Sequence, residues 1–138
     1  MKLFCTVTFL LSLASIAFAR EEPILARVTS YWAGEGSNYA STGERLRAGH
    51  CAVDPNRIPY GSKIVFADGV CTAVDTGSAV VNRKAARLSG RTASELKAVV
   101  VDRFFETKRE AMAWTNAHPE FITLQIVSPG SHQDLTAP

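Results

Sequence analysis

The chain has 138 residues, 46% of them hydrophobic and 20% charged, with a formal net charge of +2 at pH 7. That is the composition of an ordinary globular protein, and so small a positive balance gives no reason to infer a nucleic-acid partner. The length suits one domain with a real core and leaves no room for two.

Residues 1–19 read as an export signal. Lys2 supplies a positive start, Leu3 to Phe18 are largely apolar, and Ala17-Phe18-Ala19 forms a small-residue cleavage signature before Arg20. The apolar run falls short of the roughly 20 residues a membrane anchor needs, and Arg20, Glu21, Glu22 and Pro23 follow it. Cys5 lies too near the N-terminus to carry a lipid and is expected to leave with the signal. Cleavage takes 19 residues from 138 and leaves 119. The mature protein is expected to be secreted or held in the periplasm or cell envelope, with no stable membrane insertion.

The other cysteines, Cys51 and Cys71, form an even pair in an exported chain, so a disulfide is the natural reading. It closes a loop of about 20 residues and contributes about 3 kcal/mol. Two buried free thiols are the alternative. No C-x-x-C pair or His-x-x-x-His helix occurs, and His50, His118 and His132 are scattered. Neither a metal site nor a cofactor is expected.

Ile24 to Trp32 reads as a strand, with Ile24, Ala26, Val28 and Ser30 on one face and Leu25, Arg27, Thr29 and Tyr31 on the other. A glycine-rich loop through Gly34, Gly36 and Gly43 follows, carrying Glu35, Tyr39, Ser41 and Thr42. Its polar groups and single aromatic suit a ligand rim or a solvated connection. His50 to Val53 is a short strand ended by Asp54-Pro55, and Lys63 to Ala67 is another. Asp68-Gly69 predicts a type I′ hairpin turn, so the chain returns along Val70 to Val74.

Asn82 to Lys97 predicts one or two short helices broken at Ser89-Gly90, the second opened by a Thr92/Glu95 capping box. Their basic face either meets an anionic polymer or is simply solvated. Ala98 to Val101 is an apolar strand leading to Asp102. Thr107 and Glu110 then cap a helix through Ala111, Met112 and Trp114, which Pro119 ends. Phe121 to Val127 is the last strand, and 128–138 is a flexible tail. About six short strands with short helices suggest a small, mainly β barrel.

Three acids stand where apolar runs stop: Asp54 in Ala52-Val53-Asp54-Pro55, Asp75 in Ala73-Val74-Asp75-Thr76-Gly77 and Asp102 in Val99 to Phe105. At the end of a buried strand, desolvation raises a carboxyl pKa until it carries a proton near neutral pH. That suits acid/base chemistry on a sugar or peptide bond. A lone aspartate in such a place more often caps a turn.

These segments, with Val28 to Trp32, Ser41-Thr42-Gly43, Ile58 to Ser62 and Glu110 to Trp114 in the same order, resemble the 3D domain, a bacterial cell-wall family named for three aspartates. The resemblance spans about residues 27 to 127. It implies a six-stranded double-psi β-barrel over residues 20–127, as in MltA-type lytic transglycosylases, rare lipoprotein A and the N-terminal domain of expansins. It further implies cleavage of the MurNAc-GlcNAc β-1,4 bond of peptidoglycan glycan strands, leaving a 1,6-anhydro end. By their match to family positions, Asp102 is the implied acid/base and Asp75 the second acid. Asp54 is the third acid of the implied catalytic set, orienting the site or binding sugar, with a structural Asp-Pro turn as the alternative. Thr42, Gly43 and Gly77 line the groove, with Tyr31 and Thr76 as further substrate contacts.

The chain departs from the family pattern in two places. Asp75 and Asp102 stand 27 positions apart because a basic helical segment fills what is usually a shorter loop, and Ser78 replaces a second glycine after Gly77. If the segment loops outward the two acids still meet; if it covers the groove, the substrate changes or the domain only binds glycan. Two other functions compete with the transglycosylase. One is an expansin-like module that binds glycan through Tyr31, Trp32 and Tyr39, although these rings also suit a core. The other is a hydrolase in which Asp75 or Glu35 activates water. A monomer is expected.

Overall fold

The computed structural model describes residues 23–130; the export-signal segment with Cys5, and residues 131–138 of the expected tail, lie outside the described residues. Six strands close a barrel in the order β1-β5-β2-β4-β3-β6. They are β1 Pro23–Trp32, β2 His50–Ala52, β3 Lys63–Phe66, β4 Gly69–Asp75, β5 Val99–Phe105 and β6 Phe121–Val127. Strands β1 and β5 run parallel, as do β2 and β4, and the remaining neighbours are antiparallel. Closure leaves no long unpaired edge among the described strands. Four short helices complete the described residues: α1 Ser78–Val81, α2 Lys84–Ser89, α3 Ala93–Lys97 and α4 Lys108–Ala117.

Alternation in the strands sorts the apolar residues into layers. Ala26 and Val28 of β1 point into the barrel with Val53, Ile64, Val101 and Leu124, while Leu25 and Tyr31 face outward. Complete burial of a side chain such as Ile64 or Leu124 contributes about 1.5–3 kcal/mol. Outside the barrel, Val80 and Ala86 of the helical segment cover Ala52 and Val100, and Ala40 and Leu46 of the glycine-rich loop cover Val74 and Phe104. Along β5, Val100 and Phe104 therefore belong to two separate outer clusters. Asp102 lies between them.

At one end of the barrel α4 brings Trp114 edge-on to Phe66, with ring centroids 5.8 Å apart. Arg103 fills the remaining space, its guanidinium 4.6 Å from the Phe66 ring, 5.2 Å from Phe105 and 5.0 Å from Trp114. The same group donates to both carboxylate oxygens of Asp68, at 2.9 and 3.1 Å. The Thr107/Glu110 capping box opens α4 as expected, and the Thr92/Glu95 box opens α3. Gly90 ends α2 where any side chain would collide: a Cβ there would lie 2.7 Å from the Ala86 carbonyl oxygen.

Four sequence expectations need correction. Strand β5 runs on through Phe105, so Asp102 is inside a strand and not at its end. The apolar run stops because that side chain faces a polar gap, while backbone pairing to Ser30, Tyr31 and Trp32 continues. The helical segment starts earlier than expected, at Ser78, and contains three helices. The β3–β4 hairpin closes through Ala67 and Asp68, with Gly69 already paired to Phe66. Neither loop residue has positive φ, so it is not a type I′ turn, and Asp68 is turned toward Arg103 instead.

The fourth correction is the disulfide. Cys51 and Cys71 are free and fully buried in the barrel core. In the parallel β2/β4 register Ala73 stands opposite Cys51, leaving Cys71 one pleat repeat away. A disulfide bridges Cα atoms about 4.4–6.8 Å apart, and diagonal sheet neighbours lie beyond that. Burial pushes both thiols up in pKa, so they remain protonated and act as small apolar side chains.

Candidate functional site

A register shift builds the site. Cys51 pairs with Ala73, but the next residue, Ala52, pairs with Asp75, so Val74 is an extra residue on β4. Under strict alternation Asp75 would follow the inward-facing Ala73 back into the barrel. The added residue turns it to the outer face that Ala52 occupies, which is how bulges re-aim side chains. Ala52 also pairs with Asp102 on its other side, and Asp102 pairs with Thr29. Thr29, Asp102, Ala52 and Asp75 thus form one row across β1, β5, β2 and β4. The two acids flank Ala52 from strands whose backbones are about 9.5 Å apart.

Asp102 is half-buried, and its Oδ1 accepts a hydrogen bond of 2.9 Å from the Thr29 hydroxyl. Burial pushes its carboxyl up to about 6, against the Thr29 hydrogen bond, which favours the charged form; the negative charges of Glu35 and Asp75 push the same way as burial. No cation is paired with it among the described residues. A carboxyl titrating there can give up and take back a proton near neutral pH.

Asp75 is held differently. Its Oδ1 accepts from the backbone N–H groups of Ser41 and Thr76, both at 2.8 Å, and its Oδ2 accepts from the Tyr31 hydroxyl at 3.1 Å. Three donors from separate segments fix the carboxylate's position. Tyr31 lies edge-on to Phe104, ring centroids 5.2 Å apart. Burial, and then the charge and hydrogen bond of Asp75, raise its hydroxyl pKa, so Tyr31 stays a donor at any physiological pH.

Asp54 does not join this row. Its Oδ1 accepts from the Asn56 N–H at 3.0 Å and its carbonyl accepts from Arg57 and Ile58, so it shapes the turn after β2. Thr42 is exposed and donates to the Val74 carbonyl at 2.8 Å, tying the glycine-rich loop to the bulge. Gly43, at φ +88, closes the Ala40–Gly43 turn that presents the Ser41 N–H to Asp75. Gly77 is exposed at the start of α1 with open space where a side chain would stand. Thr76 is half-buried; its hydroxyl is buried without a hydrogen-bond partner. Among the stacking candidates Tyr39 is exposed, while Trp32 is half-buried under Lys108.

The helical segment does not loop away from the barrel: its Val80 and Ala86 pack on Ala52 and Val100. It stands beside Asp102 as one wall of a cavity of about 250 Å3, where Val80, Lys84 and Leu88 face Thr29, Val100 and Asp102. Sequence reading missed Thr29 and Lys84 as site residues. Thr29 had a signal, since it shares the outward face of β1 with Tyr31. Lys84 belonged to the basic face read as either polymer-binding or solvated, but its approach to Asp102 depends on how α1 and α2 fold back over β5.

The chain matches no protein-family model and no curated protein. Among the described residues no cluster of three or more His, Cys, Asp or Glu could hold a metal ion, and no helix is long and apolar enough to cross a membrane.

Proposed function

We propose that the protein is an exported peptidoglycan-cleaving lytic transglycosylase of the 3D type, built on a double-psi barrel and acting as a monomer on glycan strands. The observation that carries this reading is the placement of Asp102, half-buried and ion-paired with no cation among the described residues so that burial pushes its carboxyl up to about 6, on a row shared with a second acid held by three donors. The ordered motif set supports the family. A closed six-strand barrel with two parallel pairs supports the double-psi topology.

Protonated Asp102 gives its proton to the glycosidic oxygen as the bond from C1 of N-acetylmuramic acid breaks. The C6 hydroxyl of the same sugar attacks C1, and the Asp102 carboxylate takes the hydroxyl proton, closing the 1,6-anhydro ring and restoring the acid. No water is consumed, so the second carboxylate a hydrolase uses to activate water is not required. Asp75, fixed by Tyr31 and two backbone donors, supplies negative charge against the developing oxocarbenium ion. Thr29, donating to Oδ1, holds the Asp102 carboxyl in place.

The test is mass spectrometry of the muropeptides released from purified peptidoglycan by the mature protein and by Asp102→Asn. Anhydromuropeptides from the wild type alone are expected. Reducing ends would replace transglycosylation by hydrolysis. Sedimentation with the polymer and no soluble product would leave a glycan-binding module.

A further inference from the structure

The segment between Asp75 and Asp102 carries a second cavity, of about 520 Å3, lined by Ser78, Ala79, Asn82, Lys84, Arg87 and Leu88. It shares Ala79, Lys84 and Leu88 with the cavity beside Asp102, so the two adjoin along these three residues. Lys84 and Arg87 are both exposed, and neither forms an ion pair with any described residue. Leu88, 77% exposed, lies on the same wall. A surface that aims two free cations and an uncovered leucine into one cavity suits an anionic group on a short apolar stem.

The backbone supports a built surface. Arg83, between α1 and α2, is the one non-glycine residue among those described with positive φ, at 52°. Such a conformation costs about 1–3 kcal/mol and persists only where its surroundings hold it. Here the Arg83 guanidinium donates to the Leu96 carbonyl oxygen at 2.8 Å, clamping the start of α2 to the end of α3. That clamp sets where Lys84, the next residue, enters the rim of both cavities.

We infer that the Ser78–Leu88 wall is a specificity subsite that binds a carboxylate-bearing side arm of the glycan through Lys84 and Arg87, with its apolar stem against Ala79 and Leu88. This deepens the proposed function and rests on it for the identity of the polymer. A glycan crossing Asp102 would place the arm of one sugar in this cavity. The recognition is for charge and stem, so a neutral glycan of the same backbone is bound more weakly.

The experiment compares untreated peptidoglycan with the same polymer after its carboxylates have been converted to amides. Binding is read by sedimentation and cleavage by released muropeptides, for the wild type and for Lys84→Ala/Arg87→Ala. The two exposed cations together account for roughly a tenfold preference of the wild type for the untreated polymer at low salt, shrinking at high salt. The double variant is expected to lose that preference while its circular dichroism and thermal midpoint stay unchanged. Equal treatment of both polymers by the wild type, or an undiminished preference in the double variant, would overturn the subsite. Because sedimentation needs no cleavage, a protein that binds selectively but releases no anhydro product would sink the transglycosylase and leave this inference standing.

Discussion

Two aspartates, Asp68 and Asp102, have opposite electrostatic fates on this one barrel. Asp68, at the β3–β4 turn, is clasped by Arg103 and by the Trp114 N–H at 3.1 Å. Burial opposes its ionisation, yet the Arg103 hydrogen bonds and charge hold its carboxyl below the usual carboxylate range. Asp102 is the strand neighbour of that same Arg103 but points the other way, to a face with one hydroxyl donor and two like charges. A single pleat on β5 separates Asp102 from the cation that pairs with Asp68. A cation supplied to one and withheld from the other makes the difference.

The sharpest way to break this contrast is to remove the proton carrier. Asp102→Asn is expected to lower anhydromuropeptide release by about 10²–10⁴-fold, the usual range for a positioned acid/base. In the wild type, where Asp102 must start protonated, kcat/KM is expected to fall as pH rises through about 6. The same group couples to stability. Its carboxyl, pushed up to about 6 by burial, lies above the ordinary aspartate value of 3.8, so the native state holds the extra proton between those values. Stability from Asp102 is thus fully present below about 3.8 and lost as pH rises through about 6, on the order of 3 kcal/mol. Asp102→Asn should flatten this part of the profile in calorimetry from pH 4 to 8, and an unchanged profile would disprove the raised pKa.

The paired side of the comparison responds in stability alone. Arg103→Met is expected to cost about 2 kcal/mol in urea unfolding, below the 3–5 typical of a fully buried pair because Asp68 is 42% exposed. Two milder variants tune Asp102 in opposite directions. Thr29→Val removes a hydrogen bond that lowers its pKa, so the alkaline limb of the pH–rate profile moves up. Glu35→Gln removes a like charge, and the limb moves down. Both shifts are fractions of a unit, and movement of both limbs the same way would refute the assignment of the limb to Asp102.

Local patterns carried much of the architecture. Period-two alternation in β1, the Thr92/Glu95 and Thr107/Glu110 boxes, the break at Gly90 and the last strand, Phe121–Val127, are all legible because each depends on residues within a few positions of one another. Asp75 and Asp102 were visible as candidates for the same reason, since each interrupts an apolar run. Asp54 looked equivalent to them in sequence, yet its carboxylate is spent on the Asn56 N–H, and the Asp-Pro turn was the structural alternative from the start.

The sequence by itself determined that a mainly β domain would form, where most of its strands would lie and which acids could matter. Only the tertiary structure decided that Val74 is an extra residue turning Asp75 outward, that Ala73 and not Cys71 faces Cys51, and that Asp102 is hydrogen-bonded to Thr29 and ion-paired with no cation among the described residues. It also decided that the segment between the two acids walls the groove and brings Lys84 to it. Strand register and helix docking are set by contacts between residues far apart in the chain. No window of neighbouring residues encodes the bulge that puts Asp75 and Asp102 on one face.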